Sequence, residues 1–155
     1  MRNPELRFKE AMRWERSIEE FIENYITGNV RHPDRILNAP CGKSTIGTHR
    51  LDIDSANNPT EIGDINNLPY ESNFFDVVIQ DPIWKINYYK RMKPFFEAVR
   101  VCQLHGIIIY NATWIPESKA VREVSINRIR QSAPFANVSV ISIFKKISNQ
   151  YDDLK

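Results

Sequence analysis

Glycine and aspartate residues in the middle of the chain have types and spacings that suit the binding of a nucleoside. Gly42 and Gly47 lie in one loop, and the absence of a Cβ lets the backbone there approach a ligand closely. Shortly afterwards, Asp52 or Asp54 can accept hydrogen bonds from ribose hydroxyls. The ordinary alternatives are a tight turn for the glycines and strand-end caps for the carboxylates.

Two later segments place a carboxylate near an apolar or aromatic side chain. Asp64-Ile65 joins an acid to an aliphatic group, which suits the amino group and the ring face of adenine. Asp81-Pro82-Ile83-Trp84 has an aspartate three positions before a tryptophan. An Asp-Pro step alone often marks a turn, but this one follows the apolar run 75–79, which is typical of a strand buried on both faces.

The elements that must position these segments are mainly short strands. We predict strands near 35–39, 49–53, 60–63, 75–80, 105–111, 121–130 and 137–146. The last two are separated by Ser132-Ala133-Pro134 and are expected to form an antiparallel hairpin. Each glycine or acidic segment then follows the end of a strand.

Two helices accompany the strands. Apolar residues recur at helical spacing over 4–27, with Gly28 as the stop signal, and again over 87–103, where Pro94 predicts a kink or a break into two helices. The pattern predicts one domain over 1–155: an N-terminal helix, a core over 35–147 and a frayed tail over 148–155. The fold class is α/β, with a Rossmann-like, mainly parallel sheet and a C-terminal antiparallel hairpin. Ligands of such sheets bind at the carboxyl ends of the strands.

The order of these segments resembles that of the class I S-adenosylmethionine-dependent methyltransferases. Residues 35–111 carry the resemblance, and its most specific part is 63–70 followed by 72–78. It implies that S-adenosylmethionine is the cofactor, with Asp64 and Ile65 at the adenine and Asp52, or alternatively Asp54, at the ribose. It also implies a loop around the methionine portion, formed by Ala39, Pro40, Cys41, Gly42 and Gly47.

The tetrapeptide Asp81-Pro82-Ile83-Trp84 resembles the Asp-Pro-Pro-Trp or Asp-Pro-Pro-Tyr signature of amino-methyltransferases of the N6-adenine and N4-cytosine type. The resemblance implies that Asp81 and a carbonyl of Pro82 or Ile83 orient the target amino group, while Trp84 stacks on the base. Asn111 and Trp114 follow the fifth strand and are candidates for the substrate pocket. A turn role for Asn111 and core packing for Trp114 fit equally well.

The sequence departs from the family pattern at three places. Asn38 stands where an acid is usual, and the first loop keeps two glycines of three. The helix that normally follows this loop has almost no room, because Thr48 leads directly into the second strand. The second proline of the signature is Ile83, which keeps the backbone carbonyl.

Composition narrows the function classes. The chain has 155 residues, of which 42% are hydrophobic and 26% charged, with no apolar run long enough to cross a membrane and a charged N-terminus. We therefore expect a cytoplasmic protein. Two cysteines and three scattered histidines indicate neither a disulfide framework nor a metal site. Basic residues concentrate in 85–100 and 119–130, which suits a polyanionic substrate, although solvated faces explain them equally well.

The sequence thus predicts a methyltransferase that modifies an exocyclic amino nitrogen of a nucleic-acid base, in DNA or RNA. Target specificity would come from a partner subunit, from a homodimer formed through 4–27, or from structured RNA. The alternative is a degenerate methyltransferase-like subunit that binds nucleic acid or acts as a scaffold without catalysis, since the glycine loop is reduced. A phosphate-binding P-loop at Gly42-Lys43-Ser44-Thr45 is disfavoured, because the glycine that it requires earlier is Leu37.

Overall fold

The computed structural model describes residues 16–82, 88–130 and 138–150. Within these ranges seven strands form one sheet in the order β3-β2-β1-β4-β5-β7-β6. The strands are β1 Ile36–Asn38, β2 His49–Asp52, β3 Glu61–Ile62, β4 Phe75–Gln80, β5 Cys102–Ala112, β6 Val121–Arg130 and β7 Val138–Lys146. Neighbours from β3 to β5 are parallel, whereas β7 is antiparallel to both β5 and β6. The predicted α/β fold with a C-terminal hairpin is confirmed.

One helix covers each face of the sheet. Helix α1, Arg16–Asn29, packs Ile18, Ile22 and Ile26 against one face, and helix α2, Met92–Val101, packs Phe95 and Val99 against the other. In the part of α1 that the structure describes, these isoleucines are buried within their own chain, and the predicted homodimer through 4–27 stays a prediction. No helix within the described ranges is long and apolar enough to cross a membrane.

The end of α1 and the start of α2 differ from the predicted helix boundaries. Helix α1 continues past Gly28 to Asn29. The predicted break near 94 falls earlier: a 3-10 turn spans Tyr88–Lys90, and α2 starts at Met92. Pro94 therefore lies in the first turn of α2, where its missing N–H is not needed. As expected, no helix lies between β1 and β2.

Part of the predicted structure falls outside the described residues. This applies to 4–15 of the N-terminal helix, to the hairpin turn at Ser132-Ala133-Pro134, and to 151–155 of the tail.

The amino-terminal edge of the sheet is closed by a buried lysine. Lys146 Nζ donates to Asn73 Oδ1 at 2.9 Å and to the Cys102 carbonyl at 2.7 Å, and its side chain is completely buried. Burial lowers the pKa of Lys146 to about 8. These contacts tie the end of β7 to the start of β5 at the edge opposite the predicted site.

The irregular stretch of β5 between Cys102 and Ile107, where its register with β4 shifts, depends on Gly106. A Cβ at this position would lie 2.6 Å from Cys102 Sγ and 2.9 Å from the Asp76 carbonyl oxygen. The Asp76 backbone belongs to β4, so it cannot move without disturbing the β4–β5 ladder.

We predict that Gly106→Ala lowers the free energy of unfolding by about 1–3 kcal/mol, the usual cost of forcing extra volume into a packed core. Urea denaturation followed by circular dichroism measures this change. Gly28→Ala is the matched control, because a Cβ there meets nothing within 4 Å and alanine favours the helix. Equal stability of the two variants would show that β4 and β5 can separate to admit a methyl group.

Candidate functional site

Parallel pairing brings the ends of the five strands β1 to β5 to one edge of the sheet. Asn38 of β1 lies beside Arg50 of β2 and Ile79 of β4, and Gln80 lies beside Tyr110 of β5. The segments that follow these strands therefore share the carboxyl edge. They include the loop around Gly42, the acids after β2 and β3, and Asp81.

The loop after β1 is held by hydrogen bonds from its own amides. Ala39 N donates to the Ile79 carbonyl at 3.0 Å, and Cys41 N donates to the Leu51 carbonyl at 2.9 Å. Gly42 N donates to Asp52 Oδ2 at 2.8 Å. Pro40 has no N–H, and Ala39 and Cys41 are buried. The backbone amides of Ala39, Cys41 and Gly42 are therefore already hydrogen-bonded within the protein and are not available as donors to a ligand.

Asp52 links this loop to the end of β2. Besides the bond from Gly42, its Oδ1 accepts a hydrogen bond from Asp54 N at 2.9 Å, and the residue is only 6% exposed. Both carboxylate oxygens therefore hold backbone amides. Its predicted ribose role stays a prediction, and the structure adds a role in loop geometry that spacing alone did not indicate.

Asp54 is the more accessible of the two acids. The residue is exposed, and its Oδ1 accepts the Ala56 amide at 2.9 Å as the N-cap of a short 3-10 turn. Its second carboxylate oxygen lies on an exposed side chain at the same edge of the sheet. Asp54 can therefore accept hydrogen bonds from a ligand without giving up its structural bond.

Asp64 and Ile65 form a turn after β3. Asp64 Oδ1 accepts the Asn66 amide at 2.8 Å and the Asn66 side-chain nitrogen at 2.9 Å, while the residue stays exposed. Ile65 packs partly against the core. Asp64 therefore has a structural function in this turn, and a second function at a ligand is compatible with it.

Two exposed isoleucines at this edge were missed by sequence reasoning. Ile53 is 74% exposed directly after β2, and Ile62 is 61% exposed at the end of β3. Large aliphatic side chains at a ligand-binding edge offer apolar surface for a ring. The available signal was their position immediately beside the strand-end acids.

Asn38 occupies the end of β1 beneath the loop. It is fully buried, its Nδ2 donates to the Ile46 carbonyl at 3.1 Å, and its Oδ1 meets no hydrogen-bond partner among the described residues. A Cβ on Gly47 would lie 3.4 Å from Asn38 Cβ and 3.1 Å from the Ile36 carbonyl oxygen, with φ at +108°. Gly47 is therefore required to bring the loop back over Asn38.

The second part of the site follows β4 and β5. Asp81 is half-buried and Pro82 is buried, while Ile83 and Trp84 lie outside the described residues. Asn111 is 1% exposed at the end of β5. Trp114 is half-buried, and the guanidinium carbon of Arg91 lies 4.4 Å from the centre of its ring. One face of Trp114 is therefore occupied by a cation of this chain.

The thiol of Cys41 does not suit nucleophilic chemistry. Burial, and then the charge of Asp52, raise its pKa, so the thiol stays protonated near neutral pH. Among the described residues, no three histidine, cysteine or carboxylate side chains are grouped so that they could hold a metal ion.

No protein-family model matches the sequence, and no curated protein matches it. Solved structures do match its fold. A protein of Pyrococcus horikoshii OT3 is 15% identical with a TM-score of 0.64, covering 84% of this chain and 90% of its own. A SAM-dependent methyltransferase of Methanosarcina mazei is 10% identical with a TM-score of 0.63, covering 82% and 97%.

A third structure shows that this fold carries more than one chemistry. The [4+2]-cyclase SpnF is 8% identical with a TM-score of 0.63, covering 87% of this chain and 83% of its own. At these identities the likeness concerns the fold, which is that of the class I SAM-dependent methyltransferases. The reaction must be argued from the site itself.

We predict that Asp52→Asn costs about 1–3 kcal/mol of stability, because an amide nitrogen replaces one of the two oxygens that accept backbone amides. Thermal unfolding measures the loss, and hydrogen exchange at Gly42 should accelerate in the variant. Asp54→Asn is the matched control, since its exposed carboxylate holds one amide of a surface turn. An unchanged exchange rate of the Gly42 amide in Asp52→Asn would contradict the conclusion that the Asp52 carboxylate holds this loop in place.

Proposed function

We propose that this protein is an S-adenosylmethionine-dependent methyltransferase acting on an amino nitrogen, with a nucleic-acid base as the favoured target. The observation that carries the proposal is the position of Asp81, at the carboxyl end of a central strand and at the same edge as the β1–β2 loop. The methyltransferase fold supports the cofactor assignment.

The residues at the β1–β3 side fit this cofactor. Asp54 has an exposed carboxylate for ribose hydroxyls, and Ile53 and Ile62 offer apolar surface for the adenine ring. Asp64 is exposed beside them and can accept from the adenine amino group. The buried Asn38 Oδ1, which has no partner within the described ranges, is an acceptor for a donor group of the methionine portion. The cofactor supplies an electrophilic methyl group when it is bound.

Asp81 would orient the nucleophile. An amino group conjugated to an aromatic ring is a weak nucleophile, so alignment of its lone pair is the main contribution that a protein can make. The Asp81 carboxylate accepts one N–H of that group and a neighbouring backbone carbonyl accepts the other. The proton lost after methyl transfer can pass to the same carboxylate.

Positively charged side chains near Asp81 and the end of β5 support a polyanionic substrate. Lys90 is exposed at the end of the 3-10 turn and Lys93 is exposed in the first turn of α2, on either side of the half-buried Arg91. Arg128 is exposed on β6 and pairs with Val140, which pairs in turn with Ala112 at the end of β5. These cations lie towards the carboxyl edge, where they can contact phosphates.

A second candidate function is a binding subunit without catalysis. The specific observation in its favour is that the loop amides of Ala39, Cys41 and Gly42, together with both oxygens of Asp52, are already bonded within the protein. Calorimetry with S-adenosylmethionine and S-adenosylhomocysteine separates the two functions. A clear heat supports the enzyme, whereas no heat at millimolar ligand supports the binding subunit.

We predict that Asp54→Ala weakens S-adenosylhomocysteine binding by about 1–3 kcal/mol, because hydrogen bonds from ribose hydroxyls to a carboxylate are lost. Calorimetry measures the affinity. Asp34→Ala serves as the control, since this exposed aspartate lies before β1 at the opposite edge and should leave the affinity unchanged. If Asp54→Ala binds as tightly as the wild type, the ribose lies elsewhere.

We predict that Asp81→Ala abolishes methyl transfer while cofactor affinity stays within about threefold of wild type, since its carboxylate acts on the target amine. Labelled methyl donor is incubated with separate DNA, RNA and protein pools, and the labelled pool is then used to assay the variant. Retention of full activity by Asp81→Ala would remove the orienting role from this residue.

A further inference from the structure

A row of buried polar side chains crosses the sheet beside Asp81. Gln80 pairs with Tyr110 on the neighbouring strand, and Tyr110 pairs with Ser142 on the next one. Paired residues project to the same face of a sheet. Gln80 and Tyr110 face α2, because Gln80 Nε2 donates to the Pro94 carbonyl at 3.1 Å and the Tyr110 ring contacts the Phe95 ring at 5.4 Å. We call these three residues the polar row.

The polar row has unused hydrogen-bonding capacity. All three residues are 0% exposed, yet Gln80 Oε1, the Tyr110 hydroxyl and Ser142 Oγ have no hydrogen-bond partner in the described part of the chain. Buried polar atoms are nearly always bonded, so three such atoms on adjacent strands call for a partner. The Gln80–Tyr110 end of the row lies near the proposed reaction site, since Gln80 immediately precedes Asp81 and the charge of Asp81 acts on Tyr110.

Trp114 extends the row towards the surface. Its ring centre lies 6.2 Å from that of Tyr110, and its Nε1 likewise has no hydrogen-bond partner among the described residues. Burial raises the pKa of Tyr110, so its phenol stays neutral near physiological pH. Trp114 Nε1 faces the same hydroxyl but is not aligned to form a hydrogen bond with it. Trp114 and the stacked Arg91 form the outer layer over this hydroxyl.

The chemistry of the row selects the kind of ligand. Together with Trp114, the row presents an acceptor at Gln80 Oε1, a donor at Trp114 Nε1, and hydroxyls at Tyr110 and Ser142 that can serve as either. None of the four groups is charged, and the flanking Asp81 and Arg91 have opposite signs. The row therefore suits a neutral planar ring that carries an N–H donor next to an acceptor atom, rather than a phosphate.

We infer that the polar row, with Trp114 as its outer wall, recognises the hydrogen-bonding edge of an amino-substituted heteroaromatic ring whose amino group lies at Asp81. This inference rests on the proposed function, because it identifies the substrate-recognition residues of the same site. Tyr110 is assigned as a specificity-determining residue. Entry of the ring displaces the Arg91–Trp114 stack, which is one of the weaker side-chain contacts.

The chain offers a direct spectroscopic probe of this inference. It contains three tryptophans, so three indole N–H signals are expected in a proton–nitrogen correlation spectrum, and Trp114→Phe identifies one of them. Adenine and cytosine are titrated as free bases into the full chain, with and without S-adenosylhomocysteine. The Trp114 signal should shift with saturation, and Tyr110→Phe should weaken the apparent affinity at least tenfold.

Tyr70→Phe is the matched control. It removes another buried hydroxyl that has no partner in the described ranges, but Tyr70 packs against His49 and Phe75 and lies apart from the polar row. The control should bind the bases within twofold of wild type. Tyr110→Phe should also leave Tm unchanged or raise it, because the hydroxyl that it removes has no hydrogen-bond partner among the described residues.

Three results would overturn the inference: no shift of the Trp114 signal with either base, equal affinity of Tyr110→Phe and wild type, or a clear fall in the Tm of Tyr110→Phe. Failure of the proposed function gives a different pattern. If the bases shift the Trp114 signal but S-adenosylhomocysteine produces no heat, the recognition row stands and methyl transfer does not. If S-adenosylhomocysteine binds but neither base shifts the Trp114 signal, the cofactor assignment stands and base recognition by the polar row does not.

Discussion

The pairing of β1 with both β2 and β4 is the constraint on which the site depends. This strand spans only Ile36–Asn38, yet it fixes the register of the strands that carry the loop, the acids after β2, and Asp81. A slip of one residue would exchange the faces on which Leu37 and Asn38 lie, placing a polar amide in the core around α2. The burial of Leu37 on one face and the α1 contacts on the other therefore hold the carboxyl edge together.

Sequence pattern predicted the sheet well because its signals are local. The short, β-branched run from Phe75 to Ile79 is typical of a strand buried on both faces. The structure confirms this, because the strand Phe75–Gln80 is almost entirely buried. The hairpin of β6 and β7 followed from alternating strands around a turn, and the absence of a helix before β2 followed from the spacing after Gly42. Boundaries around α2 were less accurate, because Pro94 breaks a helix in its interior but is tolerated in its first turn.

The site was less predictable because its geometry depends on contacts between distant parts of the chain. Position alone marked Asp52 as a strand-end acid, but could not show that its oxygens hold Gly42 and Asp54. The same applies to Lys146, whose residue type favours the surface but whose ammonium group binds two carbonyls and Asn73 in the interior. Tyr110 and Gln80 have the residue types of ordinary strand positions. The sequence does not show whether a buried polar atom will find a hydrogen-bond partner, so their unpaired atoms could not be predicted.

The distribution of satisfied and unsatisfied polar groups divides the carboxyl edge into two unlike halves. On the β1–β2 side the loop amides and Asp52 bond to one another, so that side is preformed, and the buried Asn38 Oδ1 is an acceptor there that has no partner within the described ranges. On the β4–β5–β7 side the buried acceptors and hydroxyls beside Asp81 have no partner within the described ranges, so a ligand there gains hydrogen bonds that the free protein lacks. A fold shared with a cyclase as well as with methyltransferases does not determine which reaction occurs. We therefore assign substrate discrimination to the β4–β5–β7 side, because buried groups left unpaired in the absence of ligand would disfavour rings that cannot pair with them.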